Sequence, residues 1–218
     1  MKSAKNEFRW SLFEELPVVG IMRNISKEDA DEILPGFIGA GFTTLEVSLS
    51  SPNAPGLISG LVQQYGDHLN VGAGTVIDLQ DLQVALEAGA GFIVTPVVDE
   101  DVIRYCAANG IPVFAGAFTP TEIVKAWKLG ASMVKVFPAD ELGPGYIKSL
   151  KAPLEKIRLL PTGGISADNA QNYLNAGADG LGVSTGLFKA DLISNKKWTE
   201  LKDYLRRFGA IVKNHTQN

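Results

Sequence analysis

The feature that most restricts the fold of this chain is a repeated pattern, in which a helix-like segment ends in small residues and glycine before a short apolar run. The pattern occurs four times, at Gly39-Ala40-Gly41-Phe42, Ala88-Gly89-Ala90-Gly91, Leu129-Gly130-Ala131 and Ala176-Gly177-Ala178. Glycine readily adopts the left-handed conformation that ends many helices. Each junction therefore predicts a helix C-terminus that leads into a strand.

Four further apolar runs lie between these junctions, and each has glycine near its C-terminal end. They cover residues 17–21, 71–74, 112–116 and 159–164. All the runs together predict eight strands that alternate with helices, which is the pattern of a parallel sheet in an α/β protein. Eight such units favour closure into a (β/α)8 TIM barrel. An open Rossmann-type sheet is the alternative, but no Gly-x-Gly-x-x-Gly follows the first strand.

The chain is predicted to form a single domain, because no linker or low-complexity segment divides its 218 residues. Residues 1–16 are predicted to provide an extra N-terminal helix, beginning near Glu7, that covers the barrel floor. Residues 17–188 form the predicted barrel core, and residues 189–218 a C-terminal helix over 198–213 with a ragged tail. Helix starts are predicted at four residues with capping side chains: Ser26, Asp78, Thr119 and Ser166.

Charge and composition favour chemistry on a small molecule. The net charge is −4 and no basic run is present, so we expect no nucleic-acid partner. No stretch is apolar enough to span a bilayer and the N-terminus does not resemble a signal peptide, which predicts a cytoplasmic protein without a membrane partner. The single Cys106 predicts a buried structural thiol, and one cysteine with the dispersed His68 and His215 predicts neither a zinc site nor a histidine base.

A lysine stands inside the apolar run Met133-Val134-Lys135-Val136-Phe137-Pro138. Successive side chains of a strand point to opposite faces, so Lys135 shares one face with Met133 and Phe137. If that face is interior, burial lowers the pKa of the amine and favours its neutral, nucleophilic form. The run alone leaves open a lysine that reaches solvent or pairs with a carboxylate.

A carboxylate is predicted on the same interior. Alternation along residues 43–49 turns Glu46 and Ser48 inward and the leucine and valine residues towards the helices. Glu46 could form a structural ion pair with Lys135 or Arg23, or it could shuttle protons while the lysine forms an imine with a carbonyl substrate. Both interpretations place Glu46 near Lys135.

Two loops after strands seven and eight suggest a phosphate site. Gly163 and Gly164 follow one strand, and Ser184 and Thr185 follow the next. Backbone N–H groups in such loops bind anions, and this is the customary phosphate position in TIM barrels. The alternative is that the glycines only form tight turns.

Two other residues follow strands at the same end. Thr75 could bind a substrate carboxylate or cap the next helix, and Pro96 could form a pocket wall or end a loop. Sugar-phosphate epimerases and isomerases share the barrel and the phosphate loops, but generally use paired carboxylates, histidines or a metal. A noncatalytic phosphate-binding barrel would have no use for an interior lysine and glutamate.

Several motifs together resemble one known family. They are Leu45-Glu46-Val47, Val71-Gly72-Ala73-Gly74-Thr75-Val76, Val94-Thr95-Pro96, Val134-Lys135-Val136-Phe137-Pro138-Ala139 and Leu160-Pro161-Thr162-Gly163-Gly164-Ile165. Over residues 17–188 the chain is similar to the 2-keto-3-deoxy-6-phosphogluconate (KDPG) aldolase family, which also includes 4-hydroxy-2-oxoglutarate (KHG) and 6-phosphogalactonate aldolases. The resemblance implies a homotrimeric class I aldolase that needs no metal or cofactor. It also implies cleavage of KDPG to pyruvate and glyceraldehyde 3-phosphate through a Schiff base.

The resemblance also implies a role for each matching residue. Lys135 matches the Schiff-base lysine, and Glu46 matches the general acid/base. The substrate-binding positions are Arg23 and Thr75 for the carboxylate, Pro96 and Phe137 for the pocket walls, and Gly163, Gly164, Ser184 and Thr185 for the phosphate.

One position departs from the gluconate pattern. Many phosphogluconate aldolases have arginine four residues after the catalytic glutamate, where this chain has Ser50. The sequence Leu49-Ser50-Ser51-Pro52 looks more like the phosphogalactonate type, whereas Pro161-Thr162-Gly163-Gly164 looks more like the phosphogluconate type. The preferred C4 epimer therefore stays open, as does whether Arg23 alone binds the carboxylate.

Overall fold

A computed structural model describes residues 6–216 of the chain, without the side chain of Thr216. Its centre is an eight-stranded parallel sheet in which consecutive strands are neighbours and the last strand pairs with the first. The strands are β1 (Val18–Met22), β2 (Thr44–Ser48), β3 (Asn70–Gly74), β4 (Ile93–Val94), β5 (Val113–Ala117), β6 (Met133–Val136), β7 (Leu159–Pro161) and β8 (Leu181–Val183). The predicted (β/α)8 barrel is confirmed.

The barrel closes between β7 and β8 through a parallel bridge that joins Thr162 to Gly182. A Cβ atom at position 182 would lie 2.2 Å from Thr162 Oγ1. That distance is too short for any side chain, so glycine permits the two strands to approach and close the barrel.

The helices alternate with the strands as the repeat predicts. They are α1 (Trp10–Glu15), α2 (Lys27–Gly39), α3 (Ala54–Tyr65), α4 (Leu79–Glu87), α5 (Glu100–Ala108), α6 (Pro120–Leu129), α7 (Gly143–Lys151), α8 (Ala170–Asn175), α9 (Ala190–Ser194) and α10 (Trp198–Thr216). The four junction glycines have positive φ angles, between 90° and 105°: Gly41, Gly89, Gly130 and Gly177. The predicted helix ends are therefore confirmed.

Three of the predicted helix starts are confirmed by side-chain caps. Ser26 caps α2, Asp78 caps α4, and Thr119 caps α6 in a reciprocal capping box with Glu122. The start predicted at Ser166 is wrong. Asn169 precedes α8, and its side chain accepts a hydrogen bond from the Ser166 N–H, so residues 166–169 form a turn instead of the first helical turn.

The N-terminal helix is shorter than predicted, although it covers the floor as expected. Asn70 accepts a hydrogen bond from Arg9 N–H and donates one to Arg9 C=O, which keeps Arg9 extended and delays α1 until Trp10. Phe8 and Phe13 can then enter the lower barrel, where they pack with Phe92, Phe114, Met133 and other inward-facing side chains. Residues 1–5 of the predicted segment lie outside the described residues.

The C-terminal helix α10 packs against α2 and α8. It continues to Thr216, beyond the predicted helix end, and Gln171 and His215 are hydrogen-bonded at 2.9 Å. Residues 217–218 of the predicted tail lie outside the description. Cys106 is fully buried on α5, and burial raises its pKa to about 12, which confirms a structural thiol. Between residues 6 and 216 no helix has the length and apolarity needed to cross a membrane.

Candidate active site

A cavity of about 660 Å³ opens at the carboxyl ends of the strands. Every predicted site residue except Glu46 lines it: Arg23, Thr75, Pro96, Lys135, Phe137, Gly163, Gly164, Ser184 and Thr185. Because the carboxyl ends of parallel barrel strands meet at one end, residues far apart in the sequence come together there.

Lys135 lies on β6 with its side chain turned into the barrel and only 7% exposed. Its Nζ atom is 5.1 Å from the centre of the Phe137 ring. Burial lowers the pKa of Lys135 below the ordinary lysine value, and the positive charge of Arg23 lowers it further, whereas the charge of Glu46 acts in the opposite direction. The environment therefore favours the neutral amine.

Glu46 lies on β2 and is 2% exposed. Burial raises the pKa of its carboxyl group, while Lys135 and Arg23 lower it to a smaller extent. Its Oε2 atom is buried without a hydrogen-bond partner, and among residues 6–216 no ion pair joins it to Lys135. A carboxyl group that is buried but unpaired is free to exchange a proton with a bound molecule.

Gly74 provides the space for this carboxyl group, a role that the sequence analysis did not identify. A Cβ atom at position 74 would lie 2.5 Å from Glu46 Oε1. Glycine at the end of β3 therefore allows the glutamate to extend across the neighbouring strand. The sequence signal was a glycine directly before the predicted site residue Thr75.

Thr75 has a backbone φ of +62°, which is a rare conformation for a β-branched residue. Its Oγ1 atom is 2.7 Å from Ser48 Oγ, which is in turn 2.8 Å from Ser50 Oγ. Asp78 caps α4, so the interpretation of Thr75 as a helix cap is wrong. The Thr75 hydroxyl instead belongs to a group of three hydroxyls at the cavity edge.

The loops after β7 and β8 also line the cavity. Gly163 and Gly164 have φ angles of +106° and +66°, and a Cβ at position 164 would lie 2.4 Å from Asp140 Cβ. Ser184 donates a hydrogen bond to Ile21 C=O at 3.0 Å, which ties the second loop to β1. The anion site at these two loops stays a prediction.

One wall of the cavity was not predicted from the sequence. The short helix α9 contributes Ala190, Ile193 and Ser194, and the first turn of α2 contributes Asp29, which is paired with Lys196. A five-residue helix has too little periodicity to be recognised from the sequence, and its contact with α10 is not visible there either. In the part of the chain that the structure describes, no three His, Cys, Asp or Glu side chains are grouped to hold a metal ion.

Comparisons with known proteins agree on one family. The family model described as KDPG and KHG aldolase matches residues 11–204. The 2-dehydro-3-deoxy-6-phosphogalactonate aldolase of Escherichia coli is 36% identical over 177 residues, covering 81% of this chain and 86% of that protein.

Two solved structures are similar along almost their whole length. One, described as a native KDPGal structure, has a TM-score of 0.86 at 32% identity and covers 93% of this chain and 97% of its own. The other, KDPG aldolase from Legionella pneumophila with pyruvate captured at low pH as a covalent carbinolamine intermediate, has a TM-score of 0.82 at 25% identity. That match covers 90% of this chain and 95% of the Legionella chain.

Proposed function

Because this chain belongs to the KDPG and KHG aldolase family, and is therefore an aldolase, we propose that it is a class I enzyme acting on KDPG. The products are pyruvate and glyceraldehyde 3-phosphate. One observation carries the proposal: the buried amine of Lys135 lies at the cavity, with the unpaired carboxyl group of Glu46 buried nearby. A neutral amine and a protonated carboxyl group are the two groups that imine chemistry requires.

The reaction begins at the substrate carbonyl. The Lys135 amine attacks C2, and proton transfer gives a neutral carbinolamine. Glu46 then protonates the departing hydroxyl group, water leaves, and the C2–N bond becomes an iminium. The raised pKa of Glu46 keeps a proton available for this step, and the lowered pKa of Lys135 keeps the amine nucleophilic.

Carbon–carbon cleavage uses the iminium as an electron acceptor. The C4 hydroxyl loses its proton to the Glu46 carboxylate, the C4 oxygen forms the aldehyde carbonyl, and the C3–C4 electron pair moves into the enamine. Protonation at C3 and addition of water to the iminium release pyruvate and free Lys135. The atoms and electrons balance without a metal or a redox cofactor.

Two groups of cavity residues suit the two anionic groups of the substrate. Arg23 supplies a positive charge and Thr75 a hydroxyl donor for the carboxylate. The phosphate is assigned to the loops with Gly163, Gly164, Ser184 and Thr185, whose backbone N–H groups and hydroxyls are suitable donors.

The galactonate epimer at C4 is a second candidate, and KHG is a third. Ser50 and the similarity to a phosphogalactonate aldolase favour the galactonate acid. Thr162 is 4% exposed and lines the cavity. It belongs to the sequence Pro161-Thr162-Gly163-Gly164, which resembles the gluconate type and therefore favours the gluconate acid.

Pyruvate release from KDPG, from its C4 epimer and from KHG tests the proposal. We expect at least one phosphorylated acid to be cleaved, with a kcat/KM at least about 100-fold above that of the same acid without its phosphate, because the phosphate contributes several charge-assisted hydrogen bonds. The ratio between the two epimers identifies the main substrate. Epimerisation without pyruvate formation would contradict an aldolase, and equal values with and without phosphate would contradict the anion site.

We also propose that the protein is a homotrimer with a cytoplasmic location. Several large apolar side chains remain exposed in the segments that follow the adjacent strands β3 to β6, including Ile77 and Val97 at 52% and Phe118 and Leu142 at 38%. Exposed apolar side chains that follow adjacent strands in this way are typical of a subunit interface.

The molar mass in solution tests this assembly. Sedimentation equilibrium should give three times the 23.3 kDa chain mass, and Val97→Asp should lower that mass because it buries a charge in the interface. Val84→Asp is the matched control, since Val84 is also exposed but lies within the helix α4 instead of directly after a strand. A monomeric wild-type protein, or equal masses for both variants below the trimer value, would refute this surface.

A further inference from the structure

We propose that Ser48 and Ser50 are positioning residues, which hold the Thr75 hydroxyl ready to donate a hydrogen bond to the carboxylate of the bound 2-oxo acid. The inference rests on the proposed aldolase function and deepens it. It assigns roles to two serines that the sequence analysis did not place in the site.

The three hydroxyl groups form a continuous chain. Ser50 Oγ is 2.8 Å from Ser48 Oγ, and Ser48 Oγ is 2.7 Å from Thr75 Oγ1, distances typical of O–H···O hydrogen bonds. Each hydroxyl can donate once and accept twice, so three arrangements are consistent: donation from Ser50 through Ser48 to Thr75, donation in the reverse direction, and donation of both outer hydroxyls to Ser48.

The direction decides whether the substrate can be bound. In two of these arrangements Thr75 donates to Ser48, so the Thr75 proton is already used. If Ser50 donates to Ser48 and Ser48 to Thr75, the Thr75 proton is free for an acceptor in the cavity. A carboxylate there selects this arrangement, and each donation strengthens the next because hydrogen bonds in a chain polarise one another.

The position of the chain fits a carboxylate. Ser48 is fully buried on β2 and faces the barrel interior, one layer nearer the open end than Glu46. It pairs in register with Gly74, the residue before Thr75. Ser50 is exposed beyond the end of the strand, whereas Thr75 lines the same cavity as Lys135. The carboxylate of a 2-oxo acid bound to Lys135 is one bond from the reacting carbon, so its donors must lie close to the lysine.

The charges around the cavity explain why a hydroxyl donor is needed. Arg23 and Lys135 are the cationic side chains that line it within the described residues, and Lys135 must be neutral to react. Asp29, the acidic side chain of the lining, is paired with Lys196. Arg23 is exposed to solvent, so oriented neutral donors are required to fix the carboxylate.

The backbone of Thr75 supports a functional role for its hydroxyl. Its φ of +62° is unfavourable for a β-branched side chain, and unusual conformations of this kind cluster at ligand sites. The hydrogen bond with Ser48 restricts the side chain of Thr75 despite that conformation.

The test compares how two ketones become attached to Lys135 in the presence of borohydride. Pyruvate carries the carboxylate and acetone does not. In Ser48→Ala we expect the pyruvate concentration for half-maximal labelling to rise about 3- to 10-fold, the loss typical of one hydrogen bond. In Ser50→Ala we expect a rise of about 2- to 3-fold, because only the outer donor is removed. Half-saturation by acetone should stay at the wild-type value in both variants.

Two further variants separate positioning from general structural damage. Ser50→Thr retains the hydroxyl at an exposed position and should restore the wild-type pyruvate value. Thr44→Val removes a buried hydroxyl from the same face of β2, near the floor, and should leave both ketones unaffected. For the natural substrate, KM should rise in Ser48→Ala while kcat changes less than twofold.

The outcomes distinguish this inference from the proposed function. An unchanged pyruvate concentration for half-maximal labelling in both alanine variants would overturn the role of the hydroxyl chain, as would an equal rise for pyruvate and acetone. Labelling of Lys135 in the wild-type protein would still support the aldolase in either case. If Ser48→Ala fails to fold, the pair Ser50→Ala and Ser50→Thr decides the matter. Absence of labelling in the wild-type protein would instead count against the proposed function.

Discussion

Lys135→Met is expected to abolish covalent labelling by pyruvate and borohydride, and to lower kcat for aldol cleavage by at least about 10,000-fold. Within the described residues, Lys135 supplies the primary amine that lines the cavity, so its removal leaves no nucleophile for the carbonyl. Methionine keeps the length and flexibility of the side chain without the charge. Peptide mass mapping after reduction, together with pyruvate release, measures both effects.

The matched control is Lys125→Met. Lys125 is an exposed residue of α6 that forms an ion pair with Glu100 at 2.9 Å, and its loss should change kcat less than twofold. A pyruvyl adduct that persists at wild-type yield on another lysine of Lys135→Met would contradict the assignment of the Schiff base.

Thermal stability should move in the opposite direction to activity. Folding lowers the pKa of Lys135, so the unfolded chain binds a proton more readily than the folded chain. Protonation therefore lowers the free energy of unfolding, and this penalty on folding grows as the pH falls from the ordinary lysine pKa towards the lowered value. Lys135→Met removes that penalty and should have a Tm equal to or above that of the wild type at neutral pH. Activity loss without destabilisation is the signature of a reactive group.

The inward positions of Lys135 and Glu46 could be predicted because the side chains of a strand alternate with a period of two. Outward neighbours such as Val47 and Val134 pack against the helices, whereas Met133 joins the interior cluster, so the register left no choice of face. Helix ends were equally predictable, since glycine at positive φ is required at each junction.

The chain of three hydroxyls could not be predicted, because it depends on contacts between strands. The inward face of Ser48 was predictable, but its contact with Thr75 requires the β2–β3 register that pairs Ser48 with Gly74. Nothing in the spacing of the two residues along the chain fixes that register. The position of Ser50 follows from the turn after β2.

Two helix starts were predicted wrongly because an asparagine side chain binds backbone groups at each of them. Arg9 is compatible with a helix, yet both of its backbone groups are bound by Asn70, a residue 61 positions away. The turn at residues 166–169 likewise replaced a predicted helix start, because the Asn169 side chain competes for a backbone N–H. In both cases an asparagine side chain satisfied backbone groups that a helix would otherwise use.

Glu46→Gln is expected to lower kcat for cleavage by about 100- to 10,000-fold, the range typical of losing a general acid/base. Glutamine fills the same space beside Gly74 but cannot exchange a proton. Burial raises the pKa of Glu46, so ionisation of the folded protein is penalised increasingly as the pH rises above the ordinary carboxyl value. The variant should therefore match the wild-type Tm in acid and equal or exceed it at neutral pH.

The pH dependence of pyruvate labelling gives Glu46→Gln a second, independent readout. The negative charge of Glu46 raises the pKa of Lys135, so its removal should let that pKa fall further and shift the acid limb of the labelling profile to lower pH. Glu100→Gln is the control, because Glu100 is an exposed carboxylate whose pKa is lowered by Lys125 and Arg104, remote from the cavity. It should leave kcat and the acid limb unchanged. A shift of the limb to higher pH in Glu46→Gln would contradict the sign of this interaction, because it would mean that Glu46 lowers the pKa of Lys135. An unshifted limb with an intact kcat would remove Glu46 from the mechanism.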